Sequence, residues 1–247
     1  MLDALKRLIA RKPVEAEWTE VAEWAARQQF GFKRVRDEGG GFVLDGALDG
    51  KPWRLEWGPP QRSYITGHEL RIRMELGLSS NLQMLVLTRA LSDALEKEAF
   101  ESFTESNQTQ IDANTPEEMR WVVMFPKAEV TASKTVRARF RFTGADVADT
   151  ERWVEGPLAD ALERADAQWL AHQPPFVLMT LRGRVYLRMQ LDDPETRVLS
   201  GALALFQASV PQALRAAASS GEGPGADYRN SQSTAWQDLG PDAGPRD

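Results

Sequence analysis

The sequence lacks cysteine, and none of its apolar runs approaches the roughly 20 residues that a membrane-spanning helix needs. The absence of cysteine excludes disulfide frameworks, thiolate nucleophiles and cysteine-based zinc sites. Small secreted proteins usually depend on disulfides, and the chain opens with an early acid instead of the long apolar stretch of a secretory signal. These features predict a cytoplasmic protein.

Histidine is almost as scarce, with only His68 and His172 in the chain. Metal and acid–base sites usually combine histidine with further groups at fixed spacing. His68 stands at the expected start of a strand and His172 at the expected end of a helix, which favours structural roles for both. The sequence also has no Gly-x-Ser-x-Gly motif and no glycine loop placed between a strand and a helix. We therefore predict no catalytic residue, no metal ligand and no cofactor.

The composition is that of an ordinary folded protein, with 42% hydrophobic and 27% charged residues among 247. We divide the chain into a basic amphipathic lead-in (1–12), a first α+β half (13–128), a second α+β half (129–218) that packs with the first, and a disordered tail (219–247). The tail is rich in Gly, Pro, Ser and Asp, which cannot bury enough apolar surface to offset the entropy of ordering. The net charge of −6 disfavours non-specific binding to nucleic acid.

Short alternating segments separated by glycine and proline turns predict an α+β protein, with an antiparallel meander and hairpins and helices packed on one face. In one such segment Trp53, Leu55 and Trp57 alternate with polar residues. Residues 82–87 are apolar except for Gln83 and fit either a buried strand or the start of a helix. The other predicted elements are a strand over 136–142 and helices over 14–30, 89–103, 150–172 and from 193 onward, with one more short helix opened by a capping box of Thr115 and Glu118.

Two predicted hairpins share the letters Phe-Val-Leu before a glycine turn, one beginning at Phe42 and the other at Phe176. This match indicates either an ancient internal duplication or the ordinary composition of hairpins. The strand orders around the two hairpins distinguish these interpretations.

Period-two alternation also predicts a surface that is rich in arginine. If the apolar residues of each strand face the helices, the intervening residues face the opposite way. That face would carry Arg71, Arg73, Arg137, Arg139, Arg141, Tyr186 and Arg188. Guanidinium groups suit bidentate recognition of carboxylate or phosphate, although exposed strands need polar residues in any case and nearby glutamates would neutralise them. RNA is disfavoured as the partner because Tyr186 is the only aromatic residue of that parity.

The two ends of the chain offer rival surfaces. Trp236 and Leu239 interrupt the polar tail, and such a pair in an acidic segment suits docking on a partner groove, the alternative being a solvated end without function. Residues 1–12 place leucines opposite lysines and arginines, which allows peripheral contact with a membrane, but three helical turns bind weakly and docking on the core is the preferred interpretation.

The order helix, strands, helix, two strands, helix is similar to that of small acidic chaperone-like domains that bind other proteins, a fold analogy that assigns no function. We predict a non-enzymatic cytoplasmic protein-interaction protein, of an adaptor or chaperone-like kind, that binds an unknown protein or a second copy of itself. The alternative is an enzyme with a pocket of carboxylates and arginines for an unknown substrate.

Overall fold

The computed structural model describes residues 18–36, 39–105 and 115–221, with side chains up to residue 101 in the second of these ranges. The strands are β1 (Gly31–Val35), β2 (Gly41–Leu48), β3 (Lys51–Gly58), β4 (Glu69–Glu75), β5 (Met84–Thr88), β6 (Phe140–Gly144), β7 (Phe176–Leu181) and β8 (Arg184–Gln190). The helices are α1 (Thr19–Arg27), α2 (Arg89–Glu105), α3 (Glu117–Met124), α4 (Lys134–Arg139), α5 (Val147–Val154), α6 (Pro157–Gln168) and α7 (Thr196–Ser220).

One antiparallel sheet contains all eight strands, in the order β1-β2-β3-β4-β8-β7-β5-β6. The predicted α+β class with meander and hairpin pairing is confirmed. Of the largely apolar segment at 82–87, the part from Met84 onward forms the buried strand β5. Because β4 pairs with β8, the sheet joins strands from both halves of the chain.

Helices cover both faces of the sheet, although the sequence predicts them on one. The main core lies on one face, where α1, α4, α5, α6 and α7 pack on side chains such as Leu55, Ile72 and Leu187. A second core lies on the other face, where α2 and α3 cover β5 and β7 through residues that include Leu95 and Trp121. Since β5 and β7 have a helix layer on each side, both parities of these strands are apolar.

The predicted helix over 150–172 is wrong as a single element. Helix α5 ends at Val154 and α6 starts at Pro157, with Gly156 between them at a φ of 77°. A positive φ suits glycine, and proline is favoured at the first position of a helix, so this pair ends one helix and begins the next.

The predicted strand over 136–142 is also wrong in its first half, which forms α4. The side chain of Ser133 caps this helix by accepting a hydrogen bond from the backbone N–H of Val136. The extended chain begins only at Phe140. Residues 136 and 140 share a face in a helix as well as in a strand, so the apolar pattern fits both structures.

The strand orders around the two Phe-Val-Leu hairpins differ. The hairpin of β2 and β3 lies between β1 and β4, which are its neighbours along the chain, whereas the hairpin of β7 and β8 lies between β5 and β4. This difference argues against an internal duplication and favours ordinary hairpin composition.

Several predictions concern residues outside the described ranges: the lead-in 1–12, Trp236, Leu239 and all of the tail after Gly221. The predicted start of the tail at 219 is wrong by two residues. Helix α7 continues through Ser220, and Gly221 follows it in the left-handed conformation.

Candidate functional site

The polar half of the second sheet face lies on β1–β4 and β8, beside the part that α2 and α3 cover. We call it the open face. The strand register places Arg71 opposite Arg188, and Arg73 opposite Tyr186, across the β4–β8 pair. These four residues were predicted to share a surface, and the structure brings them together.

The open face carries more bases than acids, although the whole chain has a net charge of −6. Its bases are Lys33, Arg54, Arg71, Arg73, Arg184 and Arg188, and its acids are Asp45, Glu56, Glu69 and Glu75. An excess of positive charge on one surface of an acidic protein favours approach of an acidic partner to that surface.

Three arginines at the centre of the open face share two carboxylates. Arg71 lies 3.4 Å from both Glu56 and Glu69, Arg188 lies 2.8 Å from Glu69, and Arg73 lies 3.2 Å from Glu56. Glu69 is fully buried, and it also accepts a hydrogen bond of 2.6 Å from the backbone N–H of Gln61. Two acids thus balance three cations, and Arg73 is the exposed member, with 48% of its side chain accessible.

A recess of about 560 Å³ lies at one end of the open face and is lined by Arg54, Arg73, Arg184, Asp45 and Glu75. Asp45 pairs with Arg54 at 2.8 Å, and Glu75 pairs with Arg184 at 2.6 Å. The three arginine side chains are 45–48% exposed. Such exposed ion pairs contribute about 0–1 kcal/mol, so a carboxylate from a partner can replace either acid at little cost.

Sequence reasoning did not assign Arg54 and Arg184 to this surface. The signal for Arg54 was present, since it alternates with Trp53 and Leu55 on a predicted strand. Arg184 is the first residue of β8 and pairs across the sheet with Glu75.

The remaining predicted arginines do not join the open face. Arg139 closes α4 and is committed to Asp166 at 2.8 Å and to the carbonyl of Ala171 at 2.8 Å. Arg141 has the parity of the open face but lies on β6, at the far edge of the sheet beyond the covered strands. Arg137 projects from α4 and is exposed. The prediction of one surface containing all six arginines is therefore wrong.

A buried carboxylate lies where α3 meets the loop after β3. The Nε of Arg62 and the hydroxyl of Tyr64 both donate to Oε1 of Glu118, at 2.6 and 2.5 Å. The predicted capping box is wrong, because α3 starts after Pro116 without a side-chain cap and Glu118 is fully buried. No local signal marks this contact, since its partners lie more than 50 residues away in the sequence.

The protonation of this cluster indicates a structural role. Burial alone raises the pKa of Glu118, but the hydrogen bond and charge of Arg62 and the Tyr64 hydroxyl outweigh it and hold the pKa below its usual value. Burial and the neighbouring Glu118 raise the pKa of Tyr64. A general acid or base works best with a pKa near the working pH. The lowered pKa of Glu118 and the raised pKa of Tyr64 both lie farther from neutrality than the ordinary values of these groups.

Two further observations concern the described residues only. They contain no group of three or more His, Asp or Glu side chains placed to hold a metal ion. No helix in the described ranges combines the length and the hydrophobicity that spanning a bilayer requires.

No protein-family model matches the sequence, and no curated protein matches it. Among solved structures, the chain is similar to the crystal structure of the mycobacterial trehalose monomycolate transport factor A, TtfA, with a TM-score of 0.44 and 9% sequence identity. The match covers 78% of this chain and 92% of that chain.

Proposed function

We propose that this chain is a non-catalytic binding protein whose open face binds an acidic segment of a partner protein. The recess lined by Arg54, Arg73 and Arg184 carries the proposal, because three half-exposed guanidinium groups converge there with only two acids. Planar guanidinium groups bind carboxylates in bidentate geometry, which provides orientation as well as charge.

The chemistry of the open face favours a carboxylate partner over RNA. Surfaces that bind single-stranded RNA stack bases on several aromatic side chains. Among the strand residues that form the open face, Tyr186 is the one aromatic, and its hydroxyl accepts a hydrogen bond from Arg184.

The test uses full-length protein and a fluorescent oligoglutamate peptide as the probe, with binding measured by fluorescence anisotropy at low ionic strength. The triple variant R54A/R73A/R184A should weaken binding by about tenfold or more, since each lost charge-assisted contact costs about 1 kcal/mol. The matched control K134A/R164A/R197A removes the same charge from exposed sites on the helical side of the sheet. It should change binding by less than about threefold.

Equal losses in the two triple variants would show that net charge, rather than the open face, governs binding. Tighter binding of an oligouridylate than of the peptide would point to nucleic acid and contradict the proposal. Light scattering tests the remaining alternative, which is self-association through the open face. A dimer that dissociates only in R54A/R73A/R184A would identify a second copy as the ligand.

A further inference from the structure

A groove of about 640 Å³ lies beside β6, on a different surface from the open face. Residues 126–128 run next to β6, where the backbone N–H of Ala128 donates to the carbonyl of Phe142 at 2.9 Å. The chain then leaves the strand and returns to it through α4. The groove fills the opening between these two arms, residues 127–132 and 137–142.

The lining of this β6 groove combines apolar and basic groups. Ala128, Val130, Phe140 and Phe142 line it and belong to the main core, each no more than 8% exposed. Its bases are Lys127, Arg137 and Arg141, against the single acid Glu129. A ligand that suits this lining carries apolar side chains together with an acid.

Two of these bases have unused hydrogen-bonding capacity. Arg137 is exposed and forms no ion pair with any residue that the structure describes. The Nε of Arg141 is buried and has no hydrogen-bond partner among the residues that the structure describes. The NH2 group of Arg141 lies 4.0 Å from Asp93. A buried guanidinium N–H without a partner costs about 1–3 kcal/mol, which an acceptor entering the groove would recover.

We propose that the β6 groove binds the segment 235–239 of the same chain, Ala-Trp-Gln-Asp-Leu. Trp236 and Leu239 supply apolar side chains for the floor of the groove, and Asp238 supplies a carboxylate for Arg137 and Arg141. The charge of the surrounding sequence is complementary, because residues 222–247 contain five acids and only two bases. This contact is separate from the binding proposed for the open face.

The chain is long enough for this contact. Near the end of α7, Arg215 donates to the carbonyls of Arg152 and Glu155 at the end of α5. Helix α5 spans about 12 Å and starts three residues after β6, so α7 ends within roughly 35 Å of the groove. The 14 residues between Gly221 and Trp236 can extend over about 45 Å.

Charge reversal in the full-length protein tests the contact, with hydrogen exchange of residues 127–142 and 232–243 measured by mass spectrometry. R137E and D238R should each speed exchange in both regions by about tenfold, because each leaves like charges in contact. The double variant R137E/D238R should restore slow exchange. W236A/L239A should expose residues 127–142 in the same way, whereas the control Y228A, outside the segment, should leave exchange unchanged.

Failure of the double variant to restore protection would overturn the proposal, as would unchanged exchange at 127–142 in W236A/L239A. Protection that grows with protein concentration, with a dimer in light scattering, would assign the groove to the segment of a second copy and would also overturn it. Exchange of residues 232–243 at the rate of a free peptide would show that the segment does not dock, and it would likewise overturn the proposal. None of these outcomes depends on binding at the open face.

Discussion

The Nε of Arg62 lies 2.6 Å from Oε1 of Glu118, and this ion pair joins the loop after β3 to the first turn of α3. Glu118 is fully buried and Arg62 is 22% exposed, so neither charge is well hydrated. A buried carboxylate is stable only with its partner, and the pair fixes the outer helix layer against the sheet.

Replacing Glu118 with glutamine should lower the free energy of unfolding at about pH 7 by about 2–4 kcal/mol, because Arg62 loses its counter-ion. The pKa of Glu118 in the folded protein lies below its ordinary value of 4.5, so its contribution is complete above about pH 4.5. That contribution disappears as the pH falls through the folded pKa. Urea denaturation should therefore show a difference between wild type and E118Q that shrinks on acidification. A difference that stays constant would contradict this assignment, and E117Q, which removes the neighbouring pair with the exposed Arg182, is the control.

Alanine at Gly46 should destabilise the sheet. Gly46 pairs across β2 and β3 with Trp53, and a Cβ at Gly46 would lie 2.2 Å from Cζ2 of that indole. Trp53 is 2% exposed and cannot move aside without disturbing the main core. We expect G46A to cost about 1–3 kcal/mol in thermal or urea unfolding. At Gly201 the facing Trp169 is only partly buried, so G201A should lower the free energy of unfolding less than G46A does. A larger loss for G201A than for G46A would contradict this explanation.

Arginines 137 and 139 should respond differently to truncation. R139A removes the ion pair with Asp166 and the hydrogen bond to Ala171, and should lower the free energy of unfolding by about 1–2 kcal/mol. R137A removes an exposed side chain without an ion pair among the described residues and should stay within about 0.5 kcal/mol of wild type. Equal effects of the two substitutions would argue for the strand that the sequence predicts at 136–142.

Ser133 provides an independent check on α4. Its side chain accepts the N–H of Val136, so S133A should cost about 1 kcal/mol, while S133T retains a capping hydroxyl and should cost less. If no helix began at residue 133, the hydroxyl would cap nothing, and both substitutions would stay within about 0.5 kcal/mol of wild type. Chemical denaturation of the two variants distinguishes these outcomes.

The errors over α4 and α5–α6 arose where local signals competed. Ser133 is a good helix cap, but alternation of Val136, Phe140 and Phe142 with arginines outweighed it. The Gly156-Pro157 pair was a readable boundary, since proline starts helices and glycine ends them. Both boundaries could have been predicted by weighing caps above periodicity.

The composition of the open face could be predicted only in part. Parity alone assigned Arg71, Arg73 and Arg188 to the face opposite the main core, and that orientation is correct. Parity does not reveal which strands are neighbours, so it also grouped Arg141 with them, although three strands lie between β4 and β6 in the sheet order. The fully buried state of Glu69 and Glu118 depends on a loop and a helix that pack from elsewhere in the chain.

The sequence by itself determined the α+β class and the inward or outward orientation of side chains along each strand that forms. Both follow from the geometry of a few consecutive residues, in which neighbouring strand side chains point to opposite faces. The tertiary structure alone decided that β4 pairs with β8, which brings Arg71 beside Arg188, and that α2 and α3 cover one half of the second face and leave the other half open. These choices depend on burial of apolar surface between distant segments, a quantity that local sequence does not contain.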